Sequence, residues 1–220
     1  MEQAAKGPPA PSPCRLVLAS ASPRRRELLR QVGLDVLVIP PAEAERLPVE
    51  GETPQVYVAG AARAKAEQVA RLRPADLVLG SDTVVVVGGE VLGKPTGPTP
   101  GARAADAARM LRLLSGRRHE VHTGLALVRG NRMVAADVVT TVVGFRCLAA
   151  WEIAAYVASG EAWDKAGAYG IQGRAAVFVE RVEGCYFNVV GLPLARLWEL
   201  LVGAGCRPWG GDGELGFPES

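Results

Sequence analysis

The chain has 220 residues and a net charge of +2, with 49% of its residues hydrophobic and 22% charged. A chain of that length buries about 70% of the surface its unfolded form exposes, so an ordinary apolar core suffices, and the composition is that of a folded domain rather than a disordered one. A balance so near neutral excludes the global basic field that nucleic-acid binders use; charge that handles phosphate must be local, in a pocket.

Met1 to Pro13, rich in Pro and Ala, reads as a flexible leader (residues 1–13) without the apolar core of a signal peptide. Arg15 to Ala19 (RLVLA) reads as a short buried strand. Ser22-Pro23 opens a helix to about Val32, with Ser22 as N-cap and Pro23 at the first helical position. Val36 to Ile39 reads as a second strand. Thr53-Pro54 repeats the capping signature and starts a long helix to about Arg71. Leu77 to Leu79 reads as a buried strand leading into Gly80-Ser81-Asp82-Thr83, followed by a hairpin of Val84 to Val87 and Val91-Leu92 around Gly88-Gly89. Ala102 to Leu114 reads as a helix, and Val121 to Val128 with Met133 to Phe145 as a second hairpin. Leu148 to Ala158 reads as a helix stopped by Gly160. Ala175 to Val179 and Tyr186 to Val190 read as a third pair of strands, and Pro193 to Val202 as a closing helix. The domain is expected over 14–203, with a flexible tail over 204–220. Strands alternating with helices and hairpins imply an α/β fold: a mixed sheet with helices on its faces.

Cys14, Cys147, Cys185 and Cys206 are far apart and form no CxxC pair, and His119 and His122 complete no zinc pattern with them. Reduced thiols and packed histidines of a cytoplasmic protein are the expectation. No apolar run reaches the length that spans a bilayer, so no membrane partner is expected.

Three segments carry candidate chemistry. Arg24, Arg25 and Arg26 stand in the first turn of a helix, where the dipole favours anions, a conflict that a bound phosphate would resolve; arginines pointing into water fit equally well. Asp82 follows a buried strand, at the sheet edge where ligands bind in open α/β folds, and could hold a metal or accept a proton; a turn-capping Asp is the plain alternative. Asp164 to Gly173 (DKAGAYGIQG) is a loop of small residues that lets a ligand approach the backbone, and Gln172 offers both a donor and an acceptor to a base edge. Gly88 to Lys94 has the GxxxxGK spacing of a P-loop, but Pro95 stands where Ser or Thr must hold magnesium, and the flanks are a hairpin, so a P-loop is rejected.

Together LASASPRRREL (Leu18 to Leu28), ARAKA (Ala62 to Ala66), GSDTVV (Gly80 to Val85), GEVLGKP (Gly89 to Pro95), LSG (Leu114 to Gly116), DKAGAYGIQG and VVGLPL (Val189 to Leu194) resemble the Maf family of nucleoside triphosphate pyrophosphatases. The resemblance implies a Maf/ITPase-like fold of two lobes around a cleft, dependence on Mg2+ or Mn2+, and hydrolysis of a nucleotide with release of pyrophosphate. It casts Arg24, Arg25, Lys65 and Lys94 as phosphate-binding cations, Asp82 as the catalytic carboxylate and possible metal ligand, and Ser22 as part of the substrate site. Arg24, Thr83 and Gln172 match the class that prefers dTTP and UTP; the sister class acting on 7-methyl-GTP has an aromatic residue, a Gln and a Glu there. The stretch Pro40 to Glu45 lacks the family's adjacent acidic pair, so the metal-facing role falls to Glu43 or Glu45 without a choice between them. Modified pyrimidine triphosphates fit the same pocket, which would make the enzyme a nucleotide-pool cleaner. A nucleotide-binding regulator of septum formation is the rival reading, and a homodimer is compatible with either.

Overall fold

The structure is a computed structural model, and it describes residues 15–42, 48–49 and 51–209. The expected leader, most of the expected tail, and Glu43 and Glu45 lie outside the described residues. The elements in chain order are β1 (Leu16–Ala19), α1 (Pro23–Gln31), β2 (Leu37–Val38), α2 (Pro54–Leu72), β3 (Leu77–Val87), β4 (Glu90–Leu92), α3 (Pro100–Leu114), β5 (Arg118–Arg129), β6 (Arg132–Phe145), α4 (Ala150–Ala158), β7 (Val179–Glu183), α5 (Tyr186–Val190) and α6 (Leu194–Gly203). The sheet runs β2-β1-β3-β5-β6-β7, with β4 paired to β3 off that path.

Three helices start by one device. Ser22 Oγ accepts from Arg25 N (3.5 Å), Thr53 Oγ1 from Val56 N (3.3 Å) and Thr99 Oγ1 from Ala102 N (3.1 Å), each with Pro at the next position. The hydroxyl satisfies a donor that the first turn leaves open, and the proline ring presets φ. The third helix therefore begins at Pro100, two residues before the sequence reading.

β1 pairs in parallel with β2 and β3, through the crossovers α1 and α2. β3 pairs antiparallel with β5 along Leu77 to Val86, and β5 with β6 in turn, so β3 joins a parallel half of the sheet to an antiparallel half. α2 covers one face over a core of Val17, Ala62, Ala66, Val69, Val78 and Val128. The opposite face carries the larger core, with Leu28 and Leu29 from α1, Leu111 and Leu114 from α3, Ile153 from α4 and Leu197 from α6. Removal of this apolar surface from water, worth about 25 cal/mol per Å2, drives the assembly.

Three sequence expectations are corrected. Asp82 does not follow the end of a strand: β3 continues through it to Val87, because β5 supplies a partner from Leu77 to Val86 that local turn chemistry does not anticipate. Tyr186 to Val190 is not a strand but the short helix α5. Likewise, Arg174–Phe178 forms 3-10 turns, and the strand there starts only at Val179. Among the described residues, no helix is long and apolar enough to cross a membrane. Cys206 is buried, and the Trp209 indole donates to Val32 O at 3.0 Å.

Candidate active site

β3 has one edge shared by two neighbours with a gap between them. β1 pairs with Leu77 to Gly80, and β4 pairs with Val85 to Val87, which leaves Ser81 to Val84 without a strand on that side. A cleft of about 510 Å3 opens there. Its lining includes Ser22, Arg24, Arg25, Lys65, Asp82, Thr83, Lys94 and Gln172, so of the candidates within the described part of the chain all but Arg26 meet in one place.

Asp82 points to the α2 face of the sheet, where Lys65 Nζ donates to Oδ1 at 2.5 Å; both side chains are about one-tenth exposed. Two glycines allow this meeting. A Cβ on Gly80 would stand 2.1 Å from Ala62 O, and one on Gly124, which faces Asp82 across the β3–β5 ladder, would stand 2.2 Å from Val58 O. Only glycine lets α2 lie this close, and the closeness brings Lys65 to the carboxylate.

Thr83 points to the opposite face. Its hydroxyl accepts from Arg25 Nη2 (3.1 Å) and lies 2.9 Å from Thr123 Oγ1. Arg25 is buried, and its guanidinium donates also to Gly191 O (2.8 Å), Ser20 Oγ (3.0 Å) and Ser81 O (2.9 Å). It therefore ties the end of β1, the open stretch of β3 and the turn after α5 into one unit. Arg26 is exposed. The three consecutive arginines thus have three different environments, set by the 100° step of the helix.

Arg24 reaches across the cleft. Its Nη1 meets Asp164 Oδ2 at 2.6 Å and its Nη2 donates to Asp164 O at 3.2 Å. Lys165 Nζ donates to the other oxygen, Asp164 Oδ1, at 2.6 Å and to Glu161 O at 2.7 Å. Burial works to raise the Asp164 carboxyl, but the hydrogen bonds from Lys165 and Arg24 outweigh it and hold the group below the usual aspartate range.

The 164–173 loop is fixed from beneath. Gly170 N donates to Tyr156 Oη (3.1 Å), and Tyr169 Oη lies 2.8 Å from His119 Nε2. Burial pushes the Tyr156 phenol up to about 12 and raises that of Tyr169 further, while it lowers His119 to about 4, so all three stay neutral at neutral pH. Ala168 adopts a left-handed backbone at φ 60 beside Gly167 at φ 67, a conformation that costs a non-glycine residue about 1–2 kcal/mol and persists because Gly167 N donates to Gly93 O on one side while Tyr169 and Gly170 are held on the other. Gln172 is exposed at the rim.

Sequence reasoning missed Asp164, Lys165 and Arg103 as individual groups. The first two stand inside a motif it quoted, but their partners are supplied by other elements. Arg103 carried no signal beyond its place in the first turn of a helix. Among the described residues, no group of three His, Cys, Asp or Glu side chains gathers to hold a metal. Two carboxylates line the cleft, and Asp164 is already engaged by Arg24 and Lys165, which leaves Asp82 as the hard oxygen donor beside the other cations. Such a donor fits a hard divalent cation such as magnesium or manganese, which takes one or two protein carboxylates, and does not fit the closed nitrogen and sulfur set of a structural zinc.

Residues 15–204 match the family described as Maf-like protein. A protein named dTTP/UTP pyrophosphatase from Anaeromyxobacter dehalogenans (strain 2CP-1) is 52% identical over 199 residues, covering 89% of this chain and 97% of its own. Proteins of the same name from Moorella thermoacetica and Salmonella typhimurium are each 51% identical, over 89% and 84% of this chain and 98% and 91% of theirs. The solved structure of a HAM1 protein from Coxiella burnetii aligns over 86% of this chain and 98% of that one, at 18% identity and a TM-score of 0.43. With the family spanning every element from β1 to α6, and half of the aligned positions shared with relatives of nearly equal length, the chain belongs to the Maf-like protein family.

Proposed function

We propose that this chain hydrolyses dTTP and UTP between the α and β phosphorus, giving the monophosphate and pyrophosphate. The relatives' shared name supports the substrate class. The observation that carries the reaction is the Lys65–Asp82 pair at the open edge of β3, inside a cleft lined by cations.

In this reading a water attacks the α phosphorus, and Asp82 orients it and takes its proton through the carboxyl oxygen that Lys65 does not hold. Lys65 fixes the carboxylate's direction. Lys94 and Arg24 face the phosphate oxygens, where fixed cations offset charge that grows in the transition state without any reorganisation. Arg25 chiefly braces the site, since four of its five N–H donors serve Gly191, Ser20, Ser81 and Thr83, which leaves one at most for a phosphate oxygen. Ser22 shapes the turn by capping α1, and Gln172 reads the base edge from the rim; Thr83 contributes to the pocket wall with its hydroxyl engaged by Arg25. A magnesium or manganese ion, when bound with the nucleotide at Asp82, neutralises phosphate charge. Glu43 or Glu45 remains the second acidic group proposed for it. A nucleotide hydrolase acts where triphosphates are made and used, so the cytoplasm is the compartment proposed.

Pyrophosphate release measured with dTTP, UTP, CTP and 7-methyl-GTP, with and without magnesium, tests the reading. Release is expected with dTTP and UTP in the presence of the metal. Asp82→Asn should lower turnover roughly 10²–10⁴-fold, the usual worth of a positioned base, while nucleotide binding survives. Tight binding without release from any of the four would favour the regulator, and near-normal turnover in the Asn variant would remove Asp82 from its role.

A further inference from the structure

Lys94 and Asp164 belong to two loops that approach the cleft from different directions, and a single side chain touches both. Arg103, in the first turn of α3, donates from Nε to Pro95 O at 3.1 Å and from Nη2 to Trp163 O at 2.6 Å. Its guanidinium also lies 5.4 Å from the centre of the Trp163 ring. Pro95 follows Lys94, and Trp163 precedes Asp164. On the other flank of Lys94, Gly93 O accepts from Gly167 N at 3.0 Å. The chain on either side of Lys94 is therefore fastened to the 163–167 segment, once by the backbone and once through Arg103. That segment in turn holds Arg24 through Asp164.

A cation in the first turn of a helix opposes the helix dipole, so Arg103 gains nothing from its own helix. Its planar fork, with donors on two nitrogens at fixed spacing, suits two carbonyl oxygens on separate loops at once. Both carbonyls belong to residues adjoining cleft charges.

We propose that Arg103 is a positioning residue that sets the placement of Lys94 against the Asp164–Arg24 pair, acting through these loops and not on the nucleotide itself. The role rests on the proposed hydrolysis of nucleotide triphosphates. Displacing a charged group by about 1 Å costs up to about 100-fold in rate, so the fastening has a kinetic consequence.

The test uses the full chain with Arg103→Met, which keeps the stem over Trp163 and removes the donors, and Arg103→Lys, which restores charge with a different reach. With dTTP and UTP, kcat/KM of the Met variant should fall roughly 10–100-fold, mostly in kcat, and the Lys variant should recover part of it. Combined with Lys94→Ala, the Met change should add no more than about twofold, because the two act as one unit. Amide exchange of Gly167 should quicken about tenfold or more in the Met variant, with β5 amides unchanged, as expected for local opening. Unchanged kcat, losses that multiply with those of Lys94→Ala, or an unaltered Gly167 amide would each overturn the proposal. A wild-type chain releasing no pyrophosphate would sink the proposed function instead, and Gly167 exchange would still decide whether Arg103 fastens the loops.

Discussion

His119 is 2% exposed, with its ring edge-on to Phe145 and Tyr169 and its Nε2 2.8 Å from the Tyr169 hydroxyl. Burial holds it at about 4, against 6.5 for an exposed imidazole. Between those values the unfolded chain takes up a proton that the folded chain refuses. Stability therefore falls as pH falls from 6.5 to 4, and this group adds no further loss below 4. The interval is worth about 3 kcal/mol. His119→Gln retains a neutral hydrogen-bonding side chain without that proton. Urea unfolding at several pH values should show wild type losing about 3 kcal/mol relative to the variant across this window, other titrating groups cancelling in the difference. Parallel curves would mean that His119 protonates as easily folded as unfolded. The sequence expectation that this histidine packs is met at the level of burial; that it supports the 164–173 loop through Tyr169 depends on residues 50 positions apart and had no local mark.

α2 shows at the scale of an element what the sequence does and does not disclose. Its start was legible, because Thr53-Pro54 acts within one turn of chain. Its depth was not, because the space for it is made by Gly80 and Gly124 on two different strands. The strand reads only to Leu79, because the Gly-Ser-Asp-Thr that follows is of turn-forming type, and only the long-range pairing with β5 makes Gly80 mid-strand. α5 was missed for the related reason that Tyr-Phe-Asn-Val-Val favours a strand by local preference. Asn188 instead buries its amide, donating to Val121 O and Thr141 Oγ1. Gly124→Ala should therefore push α2 outward, at about 1–3 kcal/mol for overpacking, and draw Lys65 from Asp82 so that turnover falls along with Tm. Gly101→Ala, where an added Cβ meets nothing within 4 Å, should leave turnover intact and stabilise α3 by about 0.4–1 kcal/mol. Equal behaviour of the two variants in thermal melts and pyrophosphate release would remove the close-approach account of Gly124.

Across the whole molecule, the cleft gathers groups from segments remote in sequence; Arg24 and Asp164 are 140 positions apart. Motif letters located most of these residues but could not pair them, because the pairing is made by the sheet and not by the chain. The same gathering concentrates charge. Arg24, Arg25, Lys65, Lys94, Arg103 and Lys165 line the cleft against Asp82 and Asp164, an excess of four cations in a molecule whose total is +2. The remainder of the surface must then be close to neutral or acidic, so attraction of a nucleotide is local and open to screening. Between 0.1 M and 1 M KCl the Debye length shrinks from about 10 Å to about 3 Å. KM for dTTP should accordingly rise roughly tenfold over that range, whereas kcat should move little, since the buried Lys65–Asp82 contact is screened far less than the cleft mouth. Arg24→Gln should flatten the dependence by removing a mouth charge. A KM indifferent to salt would show that the nucleotide is held by contacts other than these cations.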